Sequence, residues 1–155
     1  MSDYTIASAA AICVFNLVPI AMIVVGGLNV HDCPIQSAIP VWMILVGVLD
    51  TILAVMQLCL LFCKGARNEN PCLKFIDGAF GLANLVLFIL GSYWIYSVYS
   101  DVQYDEESGE NYCNRGAYIF SFVIITSVYV SAGLAIVSAC LVGLCLIAVP
   151  SRNRR

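Results

Sequence analysis

The stretch PVWMILVGVLDTILAVMQLCLLFC, residues 40–63, decides the fold. Val41 to Phe62 is an apolar run that reaches, at about 1.5 Å per residue, across a hydrocarbon core of roughly 30 Å. One acid, Asp50, interrupts it near the middle. A bare carboxylate at that depth is so costly that it must face protein or water, or hold a proton. Gly47, Asp50, Ala54 and Gln57 share one face of the predicted helix. The acid therefore sits on a small, partly polar stripe suited to helix contact, and is read as facing inward.

The rest of the chain repeats this pattern. Its 155 residues are 61% hydrophobic and 11% charged, which excludes a water-soluble core and indicates a membrane protein. Four spans are predicted, at about residues 8–28, 40–63, 75–99 and 117–149, within one domain covering 1–155. The expected fold is all-α, an integral membrane four-helix bundle. Charge sorts by connection: Lys64, Arg67, Lys74, Arg152, Arg154 and Arg155 fall in one set and Arg115 alone in the other. Basic residues are retained on the cytosolic side, so both termini are expected to be cytoplasmic. The same six side chains are the expected contacts for anionic inner-leaflet lipids. Met1 to Ala7 carry no Lys or Arg, and no small-x-small site follows the first run, so that run is expected to stay as a span rather than be cleaved.

Within the first span, Pro19 removes an amide donor and is expected to bend the helix, while Gly26 and Gly27 are expected to loosen its end. Pro40 suits a first helical turn, and Trp42 reads as an interfacial anchor. Asp77 reads as a charge at the start of the third helix. Asn16, Gln57 and Asn84 come out at similar depths, about 9 to 15 Å from the cytoplasmic ends, and form with Asp50 a candidate polar layer. Tyr93, Trp94, Tyr96 and Tyr99, continuing to Tyr104, Tyr112 and Tyr118, read as an aromatic belt. Without a basic groove they are not a nucleic-acid platform. Asp101, Asp105, Glu106, Glu107 and Glu110 make the outer loop acidic. Ser127, Ser131, Ala135, Ala139 and Gly143 recur every four residues, a row that admits close helix packing inside the bundle or between subunits.

Topology also sorts the eight cysteines. Only Cys33 and Cys113 fall in the two connections placed outside, and they are predicted to form a disulfide. Cys59, Cys63, Cys72, Cys140 and Cys145 lie toward the cytoplasmic face, where thiols beside basic residues are candidates for acylation. No paired CxxC motif accompanies them, so no metal site is expected. The chain contains no glycine-rich phosphate loop, HExxH or nucleophile elbow, and His31 is its only histidine. Catalysis and a cofactor are not expected.

His31-Asp32-Cys33-Pro34 leading to Ile39-Pro40, Gly91-Ser92-Tyr93-Trp94 ending the third span, and Tyr112-Cys113 ahead of Tyr118 together resemble the transmembrane protein 272-like four-pass family. The resemblance implies a four-helix membrane fold with linked outer loops, and brings no established activity or catalytic residue.

Two functions fit these features. The first is a subunit of a homo-oligomeric pore or channel-like assembly, in which the acidic loops would form a ring enriching cations at the mouth. The second is a non-conducting organiser or accessory subunit of tetraspanin- or claudin-like topology, in which Asp50 bonds to Asn16, Gln57 or Asn84 and specifies helix pairing. Location in the plasma membrane is expected over an internal membrane.

Overall fold

A computed structural model describes residues 3–62, 71–105, 109 and 111–152. All of its regular elements are helical: α1 (Asp3–Phe15), α2 (Leu17–Leu28), a 3-10 turn (Pro34–Gln36), α3 (Ala38–Phe62), α4 (Pro71–Ser97) and α5 (Arg115–Arg152). Among the described residues four stretches are long and apolar enough to cross a membrane: Ile6–Leu28, Ala38–Phe62, Leu73–Ser97 and Arg115–Cys145. The first comprises α1 and α2, divided at Asn16. Pro19 accounts for the division, because it has no N–H to return to the carbonyl of Phe15, four residues back.

The chain comprises two compact units, Met1–Ser121 and Phe122–Arg155. The second continues α5. Its hydroxyls bond back to their own helix, with Ser127 Oγ donating to the Val123 carbonyl, Ser131 Oγ to Ser127 and Ser138 Oγ to Leu134, each at 2.7–2.8 Å. Such bonds satisfy the hydroxyls without a partner helix.

In the first unit the buried side chains concentrate at the end that carries the disulfide. Cys33 and Cys113 are bonded to each other, and both are buried. Backbone bonds flank the cystine: the Asn114 amide donates to the Asp32 carbonyl at 2.7 Å and the Ile35 amide to Tyr112 at 3.3 Å. The connection after α4 is tied into the same region, with the Cys113 amide donating to Gln103 at 3.0 Å and the Gln103 amide to Asn111 at 2.9 Å. Helix ends here are specified locally. Asn114 Oδ1 accepts from the Gly116 amide at 2.9 Å and the Ala117 amide at 3.3 Å, capping the start of α5. At the end of α2, Asn29 donates from both its amide and its side chain to the Val25 carbonyl.

Two glycines set the approach of α2 and α3. A Cβ on Gly26 would lie 2.7 Å from the Pro40 carbonyl oxygen, and one on Gly47 would lie 2.6 Å from that of Pro19. Each helix thus presses a glycine against the carbonyl of a proline on the other. Gly26 therefore locks the end it was expected to loosen, whereas Gly27 faces open space.

The aromatic residues divide into two roles. Tyr93, Tyr96, Tyr99 and Tyr104 are exposed, as a belt requires. Trp42 and Tyr118 turn inward instead: each is 2% exposed. Trp42 Nε1 donates to the Leu87 carbonyl at 2.7 Å, and Gly91 leaves room for its indole. Tyr118 Oη donates to the Ile95 carbonyl at 2.9 Å. Its ring centroid lies 6.3 Å from that of Tyr104, over which the Arg115 guanidinium sits at 5.9 Å. Buried Trp and Tyr need partners for their polar hydrogens, and α4 carbonyls supply them. Replacing Trp42 by Phe should cost about 1–2 kcal/mol by orphaning the contact and leaving a void. A lower melting temperature in detergent, with little change for Trp94→Phe, would show it.

Asp77 also differs from expectation. Helix α4 begins at Pro71, so Asp77 lies well inside it rather than at its start, beyond the first turn where the helix dipole acts.

Candidate functional site

Inside the first span a polar residue stands next to the turn where Pro19 removes one bond from the helical ladder. Asn16 separates α1 from α2, its amide donating to the Ile12 carbonyl at 3.0 Å and its carbonyl accepting from the Ile20 amide at 3.3 Å. Pro19, one turn on, presents its carbonyl to Gly47 of α3. Asp50 follows Gly47 by three residues, as Pro19 follows Asn16, so the glycine contact brings Asn16 and Asp50 to the same region.

The two residues, together with Gln57, line a cavity of about 330 Å³. Ala11, Ile12, Phe15, Pro19, Leu53 and Ala54 make up the remaining wall. From the neighbouring helix, Asn84 Nδ2 donates to Asp50 Oδ1 at 2.9 Å. The structure thus gathers all four intramembrane polar residues singled out in the sequence: three share a cavity, and the fourth ties α4 to the acid of α3. Two buried carboxamide oxygens, Asn16 Oδ1 and Asn84 Oδ1, have no hydrogen-bond partner among the described residues. Buried carboxamide oxygens ordinarily find a donor, so these two stand out among the described residues.

The other candidate residues lie elsewhere. Asp101 and Asp105 are exposed on the connection between α4 and α5. Ser127, Ser131, Ala135 and Ala139 are exposed on α5, and Gly143 is half-buried. Cys13, Cys59, Cys140 and Cys145 are free thiols on exposed positions, and Lys74 is exposed near the start of α4. Glu106, Glu107, Glu110, Cys63, Lys64, Arg67, Arg154 and Arg155 lie outside the described residues, as do the side chains of Cys72 and Arg152. Among the described residues no group of three His, Cys, Asp or Glu side chains could hold a metal ion.

Sequence reasoning did not anticipate that Pro19 would help position the site. The pairing of Pro19 with Gly47 is a contact between segments with no local signature, although a proline three residues after an intramembrane asparagine was the available hint.

No protein-family model and no solved structure matches the chain. Among curated proteins it is similar to Transmembrane protein 272 of Homo sapiens, at 25% identity over 136 residues, covering 74% of this chain and 71% of the human protein. That similarity, with four helices among the described residues apolar and long enough to span a bilayer, is consistent with a multi-pass membrane protein resembling transmembrane protein 272.

Proposed function

We propose that the protein is a subunit of a homo-oligomeric, channel-like assembly of the plasma membrane that passes cations. In this reading both termini face the cytosol, the cystine-bound end is extracellular, and the basic residues from Lys64 to Lys74 and Arg152 to Arg155 meet anionic lipids. The observation that carries it is the Asp50 carboxylate, which borders an open cavity within the span instead of being sealed into apolar packing. Ionisable side chains inside a membrane commonly mark pathways, because few other uses offset their desolvation.

Reconstituted in liposomes, the protein should support a cation flux that falls about tenfold when Asp50→Asn removes the charge that concentrates cations locally. Electrical recordings showing no conductance, or wild-type selectivity in the variant, would remove Asp50 from a pathway.

The bond from Asn84 to Asp50 favours a second reading, a non-conducting organiser or accessory subunit. There the acid specifies how α3 and α4 pair. Crosslinking that captures a stable foreign membrane protein, with no homo-oligomer in mild detergent, would select this alternative.

A further inference from the structure

The cavity beside Asn16 and Asp50 has a one-sided chemistry. Its polar lining consists of the Asp50 carboxylate and two carboxamides, and none of its nine lining residues is basic. Asn84 occupies one carboxylate oxygen. The two buried polar side-chain atoms left without partners among the described residues are both acceptors, one on a cavity residue and one on the residue bonded to Asp50. What such a place lacks is a donor with positive charge.

We propose that this cavity is a binding site for an organic ammonium group carried on a small apolar body. The ammonium offers three N–H donors, enough for Asp50 and for carboxamide oxygens beside it. The carboxamides of Asn16 and Gln57 line the cavity together with the carboxylate. The remaining wall, Ala11, Ile12, Phe15, Pro19, Leu53 and Ala54, suits the hydrocarbon body of such a ligand. The volume agrees. At about 330 Å³ the cavity has the bulk of roughly ten waters at ~30 Å³ each, far more than a dehydrated metal ion fills. A hard metal ion would also need about six oxygen ligands, more than these side chains present together. A mostly apolar pocket with a few convergent polar groups is the usual form of a small-molecule site. The inference concerns the same carboxylate as the proposed pathway but does not rest on conduction, since the site lies within a single chain.

The test uses the full chain in nanodiscs, with n-hexylammonium chloride as probe and n-hexanol and sodium chloride as controls. Calorimetric titration should give saturable binding of hexylammonium to the wild type and no saturable binding of hexanol or sodium. Asp50→Asn should weaken hexylammonium binding about tenfold or more, the loss expected for a charge-assisted bond. Ala54→Leu, which keeps the acid but fills the cavity, should abolish it, and carries the test if Asp50→Asn fails to fold. Equal binding of hexanol, saturation by sodium instead of the amine, no saturable amine binding, or amine binding unchanged in Ala54→Leu would each overturn the proposal. Conduction is not read in this experiment, so a failed flux assay and a failed titration remain separate results.

Discussion

Substituting Ser for Cys33 and Cys113, singly or together, is expected to produce the largest loss of stability of any change described here. The bond joins residues separated by 80 positions. In the chain-entropy account, closing a loop of that length is worth about 4.5 kcal/mol. The bilayer already confines the unfolded helices, so this figure is an upper bound for a membrane chain. Loss of the bond should extend beyond the two sulfurs. Asp32 and Asn114, which flank them, exchange a backbone hydrogen bond at 2.7 Å, and Ile35 bonds to Tyr112 on the other side. With the staple gone, these contacts must hold the turn after α2 against the start of α5 unaided. The measurement is thermal unfolding in detergent, alongside mobility on non-reducing gels. Either single variant should fall as far as the double one, because each breaks the same bond. A wild-type melting temperature in all three would show that the hydrogen bonds alone restrain this end.

Gly47→Ala and Gly47→Val are expected to be the next most damaging changes. A Cβ at this position meets the Pro19 carbonyl at 2.6 Å, the Ile23 side chain at 2.7 Å and the Ile23 amide nitrogen at 3.2 Å. Two of these three neighbours are backbone, which cannot turn aside as a side chain can. Helix α2 must shift, and overpacking of this kind costs about 1–3 kcal/mol. Gly27 supplies the control, because a Cβ there meets nothing within 4 Å. Gly27→Ala should be neutral or stabilising by up to about 1 kcal/mol through helix propensity. Comparison of the melting temperatures separates packing from propensity. Equal effects at the two glycines would mean that α2 and α3 are not in close contact. The displacement at Gly47 should also separate Asn16 from Asp50, so Gly47→Val should weaken hexylammonium binding although neither polar side chain is altered.

The sites of expected failure differ in how visible they were beforehand. Cys33 and Cys113 could be paired from topology, because sorting the thiols by compartment left two candidates outside. Gly47 was noted as part of a small stripe, yet its neighbour was not identifiable. The inward packing of Trp42 and Tyr118 was hidden for a related reason. Both types are common at the membrane boundary, and only the position of α4 carbonyls reveals that these two turn inward and donate to Leu87 and Ile95. Asp77 was misplaced because Pro71, readable as a helix breaker, instead begins α4.

Composition and length by themselves determined that this is a helical membrane chain with four apolar stretches, since hydrocarbon leaves a backbone few ways to satisfy its polar groups. They also determined where those stretches lie and which cysteines could meet. Tertiary structure alone decided which way each helix faces: that Asn84, rather than Asn16 or Gln57, bonds to Asp50, and that Asn16 and Gln57 share its cavity. The physical reason is that a helix apolar around its whole circumference carries little periodic signal to mark a buried face. Its rotation is then set by close contacts such as Gly47 on Pro19, which exist only once the segments have come together.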